Sequence, residues 1–152
     1  MKILAYRGKS LISKAIRFQT RSKYSHIAVM LDDGSVIEAW HKGGVQKSPS
    51  PSTLHTTGTK VDVFRIDADF DKSTTHRFLH EQVGKKYDFK SVARFLSRRK
   101  TRHNNKYFCS ELAEFALAYG GLLLLNGNPS EHSPRDTVLS PYLILEDQII
   151  TD

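Results

Sequence analysis

Tyr24-Ser25-His26-Ile27-Ala28-Val29-Met30-Leu31, then Asp32-Asp33-Gly34, then Ser35-Val36-Ile37-Glu38-Ala39-Trp40 is the stretch on which the fold turns. Two β-rich runs flanking an Asp-Asp-Gly cluster predict a pair of antiparallel strands joined by a hairpin. The length of the turn decides which face each side chain takes. A three-residue loop with Gly34 in the left-handed region pairs residue 31 with 35 and residue 28 with 38, which puts Glu38 on the face of His26, diagonally across the strands. A two-residue Asp33-Gly34 turn moves Glu38 to the opposite face, because a slip of one residue inverts the pattern. The three-residue loop is the one that makes chemical sense, since an imidazole and a carboxylate inside an apolar hairpin each need a partner.

Working outward, Ile3-Leu4-Ala5-Tyr6 reads as a short strand. Ser10 then caps a helix whose apolar residues Leu11, Ile12, Ala15, Ile16 and Phe18 recur at roughly helical spacing. The stretch 41–59, with Gly43-Gly44, Pro49, Pro51 and many Ser and Thr, reads as a long mobile loop. Val61 to Ile66 predicts another strand. Helices are expected from Ser73 to Gly84, from Asp88 to Ser97, and from Phe108 to Tyr119, the last closing at Gly120-Gly121. A basic loop fills Arg98 to Lys106, Leu122 to Leu125 reads as a buried strand or a flap, and Ser133-Pro134-Arg135-Asp136 opens a short helical turn. Strands in a central block with helices around them make an α+β arrangement.

The chain has 152 residues, 39% of them hydrophobic, which suits a single domain over 1–152. At that length roughly 70% of the unfolded chain's surface can be buried. The longest aliphatic run, Leu122 to Leu125, is far short of the ~20 residues of a membrane span. The opening Met1 to Arg7 is too brief for the apolar region of a secretion signal. A cytoplasmic setting is therefore expected, with delivery by a non-classical route left open. Cys109 stands alone, which excludes an internal disulfide and a thiolate zinc cage. The formal charge is +7, and 2–23 and 85–106 carry 16 of the 23 cations. Such blocks favour an anionic partner such as nucleic acid, an acidic membrane surface or an acidic polymer, or else simply a solvated face.

Cys109 enters a helix at Phe108-Cys109-Ser110-Glu111-Leu112, where unpaired backbone N–H groups and the positive end of the helix dipole favour the thiolate, the attacking form. The alternative is an inert core thiol packed with Leu112, Ala113 and Ala116 on one helix face. A nucleophilic cysteine needs a base that takes its proton, and His26 is the best placed of seven histidines. Glu38 is the candidate to orient that imidazole, with His41 the alternative if the register slips. His76 and His80, at i and i+4 on the expected 73–84 helix, have a metal-binding spacing but no evident third ligand, so no metal or other cofactor is expected.

The order His26, Glu38, Cys109 resembles the circularly permuted branch of the papain-like NlpC superfamily, the YiiX-like and lecithin:retinol-acyltransferase-like group. In that branch the cysteine helix follows the histidine strand. The matching pieces are Ser22 to Ala28, Val36-Ile37-Glu38-Ala39, Val61 to Arg65, Gly84 to Asp88, Phe108 to Leu112 and Ser133 to Asp136, spanning residues 6 to 140. The resemblance implies a papain-like α+β fold, a small antiparallel sheet packed against helices with the cysteine at a helix N-terminus. It implies Cys109 as nucleophile, His26 as base and Glu38 as the residue orienting it. The Cys109 backbone N–H is then a natural oxyanion donor, and Tyr24 a possible substrate-binding hydroxyl.

The expected activity is a cysteine peptidase- or amidase-type hydrolase cleaving an amide, peptide or related acyl bond through an acyl-enzyme. The first expected substrate is a cell-wall peptide or amide, held on an anionic polymer or membrane surface. A lipid acyl-amide or ester hydrolase or acyltransferase is the first alternative. A non-catalytic basic module for nucleic acid is the second, disfavoured because Tyr87, Phe89, Phe95 and Phe108 fall at core-like helical spacings rather than as stacking platforms.

Overall fold

The computed structural model describes residues 1–86 and 108–152. The expected helix over 88–97, the basic loop over 98–106 and the aromatics Tyr87, Phe89 and Phe95 lie outside the described residues. Within them the order is β1 (Lys2–Tyr6), α1 (Leu11–Thr20), β2 (His26–Met30), β3 (Val36–Trp40), β4 (Gly44–Ser48), β5 (Lys60–Ile66), α2 (Lys72–Gln82), α3 (Cys109–Tyr119), a 3-10 turn (Pro129–Glu131), α4 (Pro134–Val138) and β6 (Leu143–Ile150). The strands form one antiparallel sheet ordered β4-β3-β2-β1-β5-β6, so the architecture is α+β.

The hairpin register is the one that the Asp-Asp-Gly turn predicts. Val29 pairs with Ile37 and Met30 with Val36, which sets residue 28 opposite 38. Gly34 has φ +83°, and the Leu31 N–H donates to the Ser35 carbonyl at 2.8 Å. The Asp33 carboxylate accepts from the Ser35 N–H at 2.9 Å and so holds the loop's shape.

One expectation needs correction, and one strand has no expectation set against it. The stretch 41–59 is not one loop, because Gly44 to Ser48 form β4 against β3. Gly44 permits this with φ +78° and by letting the backbone pass close to Lys85, whose carbonyl oxygen would lie 2.0 Å from a Cβ at position 44. The Val45 N–H then donates to that carbonyl at 2.8 Å. The strand without one is the C-terminal β6, which the sequence does not announce. It pairs with β5 as an edge strand, and its shift beside Val63/Phe64 is the kind of irregularity that blunts edge-to-edge association. Leu122 and Leu124 are buried as expected, but in an irregular segment from which Leu123 faces solvent.

Alternation along the strands divides the core. Ile3, Ala5, Ile27, Val29, Ile37 and Ala39 face α2 and α3, where Leu79, Leu112, Ala116 and Leu117 cover them. Leu4, Tyr6, Ala28, Val36, Val61 and Val63 form a smaller cluster on the other face. By the same alternation His26 and Glu38 belong to this second face. Segment 49–59 is pinned to it by the Tyr6 hydroxyl donating to the Pro51 carbonyl (3.1 Å) and by the Thr151 hydroxyl donating to the Thr56 carbonyl (2.7 Å). Among the described residues no helix is long and apolar enough to cross a membrane.

Candidate active site

His26 opens β2 and Glu38 stands at the middle of β3, so the hairpin register alone brings them together. His26 Nε2 lies 2.5 Å from Glu38 Oε2. A second imidazole reaches the same oxygen, with His55 Nε2 at 2.9 Å. An ionised carboxylate only accepts hydrogen bonds, so both rings carry their proton on Nε2. In His26 that leaves Nδ1 free of Glu38, and the Cys109 side chain lies near enough to act on the ring by charge and hydrogen bonding. The thiol belongs to the first residue of α3, where Ser110, Glu111 and Leu112 are all buried, and it packs with Ile16 and Phe108. The Glu111 carboxylate accepts from the Phe108 N–H at 3.2 Å and fixes the helix start.

Aromatic rings wall this line. Tyr6 stacks on His55 with centroids 3.6 Å apart, and Trp40 meets His26 edge-on at 5.2 Å. Glu38 is 1% exposed, and its Oε1 is buried with no hydrogen-bond partner among the described residues. Burial pushes the Glu38 carboxyl up, but the hydrogen bonds from His26 and His55 and their charges hold it lowered to about 2. Burial works against a charged His26, yet the charge and hydrogen bond of Cys109, then those of Glu38, raise it to about 10. His55 goes the other way: its burial, aided by the nearby His26 charge, outweighs Glu38 and lowers it. At neutral pH the constellation is an imidazolium at His26, a carboxylate at Glu38 and a neutral ring at His55.

A cleft of about 530 Å³ opens against His26. Leu11, Ile12, Ala15 and Ile16 of α1 form one wall, and Trp40 and His55 form part of the other. Cys109, 1% exposed, abuts the cleft through Ile16 and His26 rather than lining it.

Three sequence-derived residues therefore meet: Cys109, His26 and Glu38. Tyr24 does not join them. It is buried on the helix-facing side of the sheet, where its hydroxyl donates to the buried Asp62, a carboxylate also bound by Arg7 at 2.8 Å and Lys23 at 3.1 Å. That cage, with Gln148, holds Asp62 well below the usual carboxylate range despite its burial. His41 packs on Trp40 at the cleft and makes no bond to Glu38. The place beside Glu38 that a slipped register assigns to His41 is taken by His55, which no local pattern marks because it lies in the Ser/Thr/Pro-rich segment. His76 and His80 lie side by side on α2, their rings tilted by 40° with centroids 4.3 Å apart.

No family model matches this sequence, and no curated protein matches it either. A solved structure does. The crystal structure of metalloprotein YiiX from Escherichia coli O157:H7 superposes with a TM-score of 0.67 at 19% identity, over 99% of this chain and 96% of that one. The two share a fold. At this identity the likeness to YiiX extends to the fold and not to chemistry.

Proposed function

We propose that the chain is a thiol hydrolase of the permuted papain-like, NlpC-type group, cleaving an amide or related acyl bond through an acyl-enzyme. The observation that carries this is the single buried line Cys109–His26–Glu38, in which one imidazole bridges a helix-start thiol and a carboxylate. The thiolate attacks the acyl carbonyl carbon, and the oxyanion that forms is stabilised by the first-turn N–H groups of α3, Cys109's own among them. As the C–N or C–O bond breaks, the His26 imidazolium gives its proton to the leaving group. The neutral ring then takes a proton from water as that water attacks the thioester, which frees a carboxylic acid, expels the thiolate and restores the thiolate–imidazolium pair. Glu38 holds the ring in the tautomer that presents Nδ1 to sulfur, and His55 braces Glu38.

A cell-wall peptide or amide is the substrate that the basic composition first suggests. The apolar α1 wall of the cleft supports an acyl chain instead, as in a lipid acyl amide or ester. Intact-mass analysis after exposure to activated short- and long-chain acyl esters separates these. One added acyl group on the wild type, none on Cys109→Ala, and slower loss of the acyl group in His26→Ala are expected. No adduct with either ester, or an adduct that survives Cys109→Ala, overturns the proposal.

A second reading is a metal centre, favoured by the buried Glu38 Oε1, which has no hydrogen-bond partner among the described residues, and by the description of YiiX as a metalloprotein. His26, Glu38 and His55 present donor atoms within 4.8 Å of one another, a two-histidine, one-carboxylate set that fits zinc or iron(II) in kind. When bound, such an ion would polarise a carbonyl or acidify a water. The present spacing of 2.5 and 2.9 Å is that of hydrogen bonds, so both rings would shed their Nε2 protons and the carboxylate would swing back. Zinc titration by calorimetry decides the matter. Binding that persists in Cys109→Ala and is lost in His55→Ala supports the metal centre, and no binding to the wild type removes it.

A further inference from the structure

Helix α1 carries more apolar surface than the fold uses. Ile16 is its one buried residue, whereas Leu11 is 83% exposed, Phe18 86% and Ile12 48%. At 100° per residue Leu11, Ala15 and Phe18 form one stripe, with Ile12 beside it toward the cleft. Lys14 and Arg17 follow on the next face, and Lys9 and Arg21 stand at the two ends of the helix. The segment from Lys2 to Lys23 contains no acid. Arg7 and Lys23 are spent on Asp62, but Lys9, Lys14, Arg17 and Arg21 pair with no acid among the described residues. An exposed apolar stripe bordered by unneutralised cations fits the interface of an anionic bilayer, where side chains such as Leu and Phe enter the headgroup boundary and Lys and Arg meet phosphates. A polyanion in water, nucleic acid or wall polymer, would use the cations and leave Leu11 and Phe18 without a role.

We infer that α1 docks this protein on an anionic phospholipid surface through Leu11 and Phe18, steered by Lys14, Arg17 and Arg21. Because Leu11, Ile12 and Ala15 also line the cleft, a docked α1 sets the cleft mouth against the bilayer. This deepens the acyl-hydrolase proposal by naming where an acyl substrate would come from, but it stands on the surface of α1 alone and not on Cys109.

The test is co-sedimentation of the full chain with vesicles of phosphatidylcholine alone and of phosphatidylcholine with phosphatidylglycerol. Binding is expected to the anionic vesicles, to weaken about fivefold for each of Lys14→Gln and Arg21→Gln, and to fall at least about tenfold in Leu11→Ser/Phe18→Ser. Circular dichroism checks that the variants stay folded, and Phe18→Ser alone, at a site outside the cleft, is the fallback if the double variant does not. Binding to a soluble polyanion but not to vesicles, or vesicle binding indifferent to Leu11 and Phe18, overturns the inference. Membrane binding unchanged in Cys109→Ala is expected, so loss of the hydrolase proposal and loss of this one are read separately.

Discussion

Replacing Glu38 by Gln changes little in shape and much in charge. In the wild type one carboxylate oxygen accepts from both His26 and His55, and the other oxygen is buried without a partner among the described residues. The amide turns two hydrogen bonds to a charged acceptor into neutral ones, a loss of about 1 kcal/mol each, and buries an NH2 group, costing about 1–3 kcal/mol if it finds no acceptor. A destabilisation of about 3–5 kcal/mol at neutral pH follows, and its pH dependence is the sharper test. Glu38, held down from 4.5 to about 2, contributes stability that is present above 4.5 and lost as pH falls through about 2. His26, raised from 6.5 to about 10, contributes stability that is complete below 6.5 and lost as pH rises through about 10. The gap between wild type and Glu38→Gln should therefore be widest above pH 4.5 and close as pH falls through about 2. At high pH it should narrow only by the smaller share of the His26 rise that Glu38 supplies, since Cys109 supplies the larger share and stays in the variant. Urea unfolding followed by the fluorescence of Trp40, the chain's single tryptophan and a neighbour of His26, measures it directly. A gap under about 1 kcal/mol, or one constant with pH, refutes the assigned charge states.

Further outcomes follow from the scaffold. Gly44→Ala should cost at least about 1–3 kcal/mol in denaturant, since the new Cβ meets the Lys85 carbonyl at a φ of +78°. An unchanged midpoint would mean that β4 does not approach Lys85. Asp62→Asn should cost about 3–5 kcal/mol, because Arg7 and Lys23 lose the buried carboxylate that they share, while acylation at Cys109 proceeds in whatever fraction stays folded. A stable variant lacking acylation would tie Asp62 to the chemistry instead.

What was legible in the sequence was local. The Asp32-Asp33-Gly34 turn sets the β2–β3 register, and that register is what carries Glu38 to His26. Ser10 caps α1 and Ser133 caps α4 as their positions suggest, because a side-chain oxygen ahead of a helix satisfies the same orphan N–H groups wherever it occurs. What was hidden depends on distant chain. Gly44 to Ser48 become a strand by pairing with β3 and touching Lys85, and Leu143 to Ile150 by pairing with β5, neither of which their own composition announces. His55 reaches Glu38 only because Tyr6 and Thr151 pin its segment across the sheet. Tyr24, two residues from His26, shares its strand parity, yet its chain leads to Asp62 instead.

In the proposed mechanism His26 and Cys109 form a thiolate–imidazolium pair. Thiolate absorbance in the ultraviolet reads this directly, without requiring a reagent to reach the buried sulfur, and the chain's single cysteine makes the signal unambiguous. A thiolate band is expected in the wild type at neutral pH, missing from Cys109→Ser and strongly reduced in His26→Ala. A wild-type spectrum identical to that of Cys109→Ser, or a band untouched by removing His26, would contradict it.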